Sequence, residues 1–134
     1  MTIRWALAGT GALAQELIAE YRLTPGAELV AVASRSLERA QAFAAEHGIG
    51  RAYGSYAELA AAPDIDIVHI VTPHPQHLQV ALDSVAAGKA VLVEKAFTRN
   101  AAEAREVFDA ADAAGVFVME AMWTRFLPHV AALH

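Results

Sequence analysis

Apolar residues in this chain fall into two kinds of run that alternate from one end to the other. Short, nearly continuous stretches of Val, Ile, Leu and Ala occupy residues 3–8, 28–33, 66–71, 90–93 and 116–119, with a weaker one at 51–53. Such runs suit strands buried on both faces of a parallel sheet. Between them the apolar positions take helical spacing. Leu13, Leu17 and Ile18 share one face of a helix predicted over 12–22, and further helices are predicted over 37–47, 76–87 and 101–114. Gly48 and Gly88 follow two of these, as favoured helix stops. Asn100 suits the N-cap of the last helix, with Glu103 placed to reach back as in a capping box. Alanine is frequent, as in residues 57–62, and biases propensity toward helix. The alternation of strand and helix therefore carries the reading: a single α/β domain with a doubly wound, mostly parallel sheet and right-handed crossovers.

Composition narrows the function classes. At 134 residues, 56% apolar and 19% charged, the chain has the size and content of one folded domain, which excludes intrinsic disorder. A net charge of −5 gives no general attraction to nucleic acid or to an anionic membrane, so neither is expected as a partner. The absence of cysteine excludes disulfides and thiolate metal sites. Met1-Thr2-Ile3-Arg4-Trp5 lacks the apolar core of a signal peptide, and no stretch approaches the ~18 apolar residues of a membrane span. A cytoplasmic setting is expected.

The first chemical motif is Gly9-Thr10-Gly11-Ala12-Leu13-Ala14, which fits G-x-G-x-x-G/A directly after the first strand and at the opening of the first helix. Gly9 would permit the tight turn, Gly11 the close approach of a pyrophosphate, and Ala14 close packing of helix on strand. The helix N-terminus then offers unpaired N–H groups to the phosphates. That context predicts a dinucleotide-binding Rossmann fold. The second strand ends near Ser34, twenty residues beyond Ala14, where NAD sites place an acid for the ribose 2′-hydroxyl. No carboxylate occurs here before Glu38; the chain offers Ser34, Arg35, Ser36 and Arg39 instead. Hydroxyls and guanidinium groups suit a 2′-phosphate, so NADP(H) is expected in preference to NAD(H), which stays possible. The plainer alternative is that Arg35 and Arg39 are solvated charges and Ser36 caps the second helix.

Taken in order, the glycine loop, Ser34-Arg35-Ser36, Thr72-Pro73-His74-Pro75-Gln76-His77 and Val93-Glu94-Lys95 resemble the nucleotide-binding half of the glucose–fructose oxidoreductase/inositol dehydrogenase (Gfo/Idh/MocA) family. Residues 119–128 resemble its branch of dimeric dihydrodiol dehydrogenases and NADP-dependent xylose dehydrogenases. The resemblance implies that Lys95 is catalytic, touching the substrate hydroxyl and the nicotinamide ribose, and that Glu94 helps fix the nicotinamide riboside. Ala96 departs from the family motif, which has Pro there. Thr72, Pro73 and His74 would line the nicotinamide end of the cleft, and His77 would order that loop.

Trp123, Arg125 and Phe126 resemble residues flanking the substrate cleft, although Trp123, Phe126, Leu127 and Val130 also fall at helical spacing and could simply cover a core. His74 and His77 have no third ligand at sensible spacing, so no metal is expected, and His69 reads as a packed core residue. The implied division is a dinucleotide-binding domain over 1–120 and a segment, 121–134, leading to a C-terminal substrate and oligomerisation domain that these residues do not contain. The implied activity is NADP(H)-dependent hydride transfer at a hydroxyl-bearing carbon of a sugar, polyol or cyclic diol, by a homo-oligomeric parent. The 134 residues alone are expected to be inactive. The alternatives are a non-catalytic NADP(H)-binding or redox-sensing module, and a subunit that partners a separate catalytic chain.

Overall fold

The computed structural model describes residues 1–133; His134, the last residue of the segment expected to lead onward, lies outside them. Strands β1 (Ile3–Ala8), β2 (Ala27–Ala33), β3 (Arg51–Tyr53), β4 (Ile67–Ile70), β5 (Ala90–Val93) and β6 (Val118–Glu120) pair in the order β3-β2-β1-β4-β5-β6, all parallel. The order reverses between β1 and β4, the point at which open α/β sheets bind ligands. Helices α1 (Ala12–Leu23), α2 (Leu37–His47), α3 (Tyr56–Ala61), α4 (His77–Ala86) and α5 (Ala101–Ala114) connect the strands, and a short α6 (Pro128–Ala131) follows β6.

Strand alternation sorts the core into two layers. Ala6, Ala8, Ala31, Ala33, Val68, Ile70, Val91 and Val93 face one layer with Leu59, Val80, Val85 and Val107 from α3, α4 and α5. Leu7 and Val32 face the other with Ala14, Ile18, Phe43 and Ala44 from α1 and α2. The small strand residues of the first layer let helices lie close to the sheet. On the second face, His69, Leu92 and Met119 are cross-strand neighbours that border a cleft lined on its other side by α1.

Most predicted elements are present, and the differences have local causes. The strand expected at 116–119 sits at Val118–Glu120 because the Val116 N–H closes α5 on the Ala111 carbonyl around Gly115, in the left-handed region at φ 67°. The helix expected from residue 76 begins at His77, after a 3-10 turn (His74–Gln76) entered through Pro73. Asn100 accepts from the Glu103 N–H as expected, but the Glu103 carboxylate reaches back to the Arg99 N–H and guanidinium. Helix α3 is not among the elements the sequence pattern predicts. Ser55 caps it by accepting from the Glu58 N–H (3.2 Å), and Glu58 accepts from the Gly54 N–H (3.2 Å).

Arg4 and Asp66 tie the start of β1 to the start of β4 through three hydrogen bonds, from the Arg4 N–H (2.8 Å), Nε (3.1 Å) and Nη2 (2.6 Å). These bonds, the side-chain ones foremost, hold the Asp66 carboxyl down to about 2, from an ordinary 3.8. A depressed carboxyl stabilises the fold above its unfolded value, and that contribution is lost as pH falls through the folded value. Both side chains are about two-fifths exposed, so solvent screening keeps the contribution small. Asp66→Asn is expected to be less stable than the native chain at neutral pH, with the gap closing between pH 3.8 and about 2. Denaturant melts across that range measure it; a gap independent of pH would remove the pair from the account.

Candidate functional site

The turn after β1 is shaped by its glycines. Gly9 has φ +126°, and a Cβ there would lie 2.9 Å from Val71 Cγ2 and 3.0 Å from the Val71 carbonyl oxygen, so only glycine lets this turn press against the end of β4. Gly11 is the N-cap of α1 with an ordinary φ of −82°, and a Cβ there would meet nothing within 4 Å. The first helical bond runs from the Gln15 N–H to the Gly11 carbonyl (3.2 Å), which leaves the N–H groups of Ala12, Leu13 and Ala14 without an intrahelical acceptor. No acidic residue occupies the first turn of α1. Ala14 is fully buried, as expected of the position where helix meets strand.

Beyond β2, Ser34 is buried and its hydroxyl accepts weakly from the Ser36 N–H (3.5 Å). Ser36 caps α2, accepting from the Arg39 N–H (3.3 Å), which leaves its own hydroxyl hydrogen free to donate. Arg35 and Arg39 are exposed and form no ion pair among the described residues. With Gly9, Thr10, Gly11, Ser34, Thr72 and Pro73 they line one cleft. Tyr56, which the sequence pattern does not single out, lines it too. Burial pushes its phenol up, and the nearby Arg35 and Arg39 guanidinium groups partly oppose this.

At the far end, β5 delivers Glu94 and Lys95. Glu94 is only about one-seventh exposed at its side chain, and its Oε1 lies 3.2 Å from His69 Nε2. The His69 hydrogen bond, aided by Lys95, holds its carboxyl below the usual range in spite of burial. Lys95 is exposed, and its ammonium has no hydrogen bond or ion pair among the described residues. The backbone after it is held from several sides, with a cis peptide between Lys95 and Ala96. The Ala96 N–H donates to His74 Nε2 (3.0 Å), and the Glu120 carboxylate accepts from the Phe97 N–H (2.9 Å). The buried His77 ring lies against the carbonyls of Thr72 (2.8 Å), Ala96 (3.1 Å) and Phe97 (3.1 Å).

His77 thus bridges the Thr72 loop to the backbone at Ala96 and Phe97, while His74 is engaged by the backbone of Lys95 and Ala96. Glu120 is a site residue that the sequence reading misses, although it stands inside the Met119–Pro128 stretch that carries the resemblance. His69 needs a correction: it is buried, but it is no mere packing residue, because both ring nitrogens are hydrogen-bonded.

Trp123 and Phe126, in a 3-10 turn (Trp123–Phe126), line a cleft with Leu13, His69, Leu92, Glu94 and Lys95. Both are about two-thirds exposed, so they cover no core in these residues. Arg125 is exposed and does not line that cleft. Among the described residues no three His, Asp or Glu side chains gather at metal-binding distance, and no helix is long and apolar enough to cross a membrane.

Residues 3–122 match the profile of an oxidoreductase family with an NAD-binding Rossmann fold, Gfo/Idh/MocA. The chain belongs to this family. It is 48% identical over 135 aligned residues to trans-1,2-dihydrobenzene-1,2-diol dehydrogenase of Sus scrofa and 45% identical to that of Homo sapiens, covering 99% of this chain and 40% of each relative. The chain thus spans about two-fifths of the length of these relatives. An NAD-binding oxidoreductase from Klebsiella pneumoniae superposes with a TM-score of 0.92 at 31% identity, over 98% of this chain and 37% of that one. A 3-ketoreductase from Actinomadura kijaniata, in complex with NADP and TDP-benzene, superposes with a TM-score of 0.91 at 28% identity, over 99% of this chain and 41% of its own.

The Gfo/Idh/MocA cleft of this chain fits a dinucleotide on its own observations. Thr72 is buried with its Oγ1 unpartnered among the described residues, at the edge of the phosphate cleft. The space above Gly11 is open, and the N–H groups at the start of α1 await acceptors. An orphaned buried hydroxyl costs about 1–3 kcal/mol unless a ligand or water satisfies it.

Proposed function

We propose that this chain is the NADP(H)-binding half of an oxidoreductase that acts at a hydroxyl-bearing carbon of a sugar, polyol or cyclic diol. The observation that carries the cofactor preference is the unpaired Arg35 and Arg39 beside Ser34 and Ser36, with no carboxylate where a ribose 2′-hydroxyl would need one. In this reading the N–H groups of Ala12, Leu13 and Ala14, with Thr10 and Gly11, hold the pyrophosphate. Ser34, Arg35, Ser36 and Arg39 hold the 2′-phosphate, and Tyr56 walls the same end. Glu94 lines the nicotinamide end, Thr72 and Pro73 border the phosphate cleft rather than that end, and His74 and His77 hold the loops. When bound, the nicotinamide supplies hydride exchange with the substrate carbon.

Lys95 is the catalytic residue of this proposal. Its ammonium has no protein partner among the described residues, so it is free to donate to the substrate oxygen and stabilise negative charge developing there. Trp123 and Phe126 border the substrate side, with Arg125 exposed outside that cleft, and residues 121–134 lead away from a binding domain over 1–120. A small-molecule substrate and a homo-oligomeric parent complete the reading, and its cyclic-diol substrate class is supported by the activity for which the similar dihydrodiol dehydrogenases are named.

Fluorescence titration of the 134-residue chain with NADPH and NADH tests the cofactor assignment. NADPH is expected to bind about ten- to a hundredfold more tightly, the worth of one charge-assisted hydrogen bond. Arg35→Ala is expected to close most of that gap by weakening NADPH alone. Equal affinities in the native chain would overturn the NADP(H) preference.

A further inference from the structure

Three residues from three elements form a partly buried hydrogen-bonded row behind the cofactor cleft. His69 stands in β4 between Val68 and Ile70, which face the opposite core layer, so its ring points to the α1 side of the sheet. Its Nδ1 lies 2.9 Å from the Tyr21 hydroxyl of α1, and its Nε2 lies 3.2 Å from Glu94 Oε1 at the end of β5. The ring is nearly inaccessible and packs edge-on against both Trp5 and Tyr21, which also touch each other. The sequence separations, 48 and 25 residues, show that only the folded sheet brings the three together.

We propose that Tyr21 and His69 are positioning residues that hold the Glu94 carboxylate in place for the nicotinamide riboside. The direction of the row follows from the chemistry. The Glu94 carboxyl is held in the ionised form. An ionised Glu94 carboxylate can only accept, so the hydrogen of the 3.2 Å contact sits on His69 Nε2, which leaves Nδ1 to accept from the Tyr21 hydroxyl. One carboxylate oxygen is thereby pinned, and the other is left for the cleft that Glu94 and Lys95 line. Without the ring, Glu94 would stand beside Leu17 and Leu92 with no side-chain donor and would turn toward solvent or Lys95. Tyr21 lies on the helix whose N-terminus forms the phosphate turn, so one element supports both ends of the cofactor cleft.

This inference rests on the reading of Glu94 as a cofactor-facing group, and two readouts keep the two apart. The first is side-chain nitrogen NMR of the 134-residue chain without cofactor. A hydrogen on His69 Nε2 is expected, and Tyr21→Phe, which removes a single oxygen, is expected to shift the Nδ1 resonance whose hydrogen bond it deletes. A ring with its hydrogen on Nδ1, or one that ignores Tyr21→Phe, overturns the proposal whether or not NADPH binds. The second is NADPH affinity. His69→Leu is expected to weaken it about tenfold, the scale set by leaving a buried charge without its donor. His69→Gln, which restores an N–H donor toward Glu94, is expected to recover most of that loss. In a Glu94→Gln background, His69→Leu is expected to add less than about twofold, because its effect runs through the carboxylate. Full additivity of the two substitutions, or equal losses for His69→Leu and His69→Gln, would show that the ring only fills space.

Discussion

Lys95→Met is expected to lower kcat about 10²–10³-fold, the usual loss when one preorganised donor to a developing oxyanion is removed. The measurement needs a complete cleft, so the suitable protein is a chimera in which this chain replaces the matching two-fifths of the pig dihydrodiol dehydrogenase. Methionine keeps the length and the apolar stem of lysine and deletes only the charge. The fold has little to lose, since Lys95 is exposed and its ammonium bonds to nothing among the described residues. The backbone at this point is held by His74, His77 and Glu120, none of which hydrogen-bonds to the lysine side chain among the described residues. NADPH affinity is therefore expected to change about threefold or less while the chemical step collapses, which separates a group that acts in the transition state from one that merely binds. A chimera whose kcat is unaffected would take Lys95 out of the catalytic role.

The two glycines of the phosphate turn are expected to fail in opposite ways. Gly9→Ala places a Cβ against Val71, side chain and carbonyl oxygen alike, at a φ of +126° that L-residues rarely adopt. Neither neighbour can give way easily, because Val71 continues β4 and its N–H is bonded to the Ala8 carbonyl (2.9 Å). A stability loss of about 2–4 kcal/mol is expected from strain and overpacking together. Gly11→Ala meets nothing within 4 Å and has an ordinary φ, so its stability is expected to stay within about 0.5 kcal/mol of native. The new methyl group stands where a pyrophosphate must approach, and NADPH binding is expected to weaken about tenfold or more as bonds to the phosphates lengthen. Denaturant melts paired with NADPH titration on both variants measure the contrast. A Gly11→Ala chain that binds NADPH as the native one does would place the pyrophosphate elsewhere.

Features set by residues close together in the chain are legible in the sequence. The bounds of α2 and α5, the strand at Arg51–Tyr53, the glycine turn into α1 and the Asn100 cap all come from signals within a few positions of one another. Backbone conformation is set at that range by φ limits and by side chains that bond to neighbouring N–H groups. Even α3, absent from the predicted elements, carries such a signal, since Ser55-Tyr56-Ala57-Glu58 is a capping pattern hidden beside an alanine run.

What the sequence by itself determined, then, was the alternation of strand and helix, the glycine turn into α1 and the absence of a carboxylate at the end of β2. Tertiary structure alone decided which distant groups meet. Strand register set His69 beside Leu7 and Leu92, and so within reach of Tyr21 and Glu94. β5–β6 pairing brought the Glu120 carboxylate to the Phe97 N–H, and α3 carried Tyr56 to the cleft of Arg35 and Arg39. A histidine inside a Val/Ile run looks like core because burial is what a local pattern reports. Whether its nitrogens find partners depends on residues 25 and 48 positions away, and no local propensity carries that information.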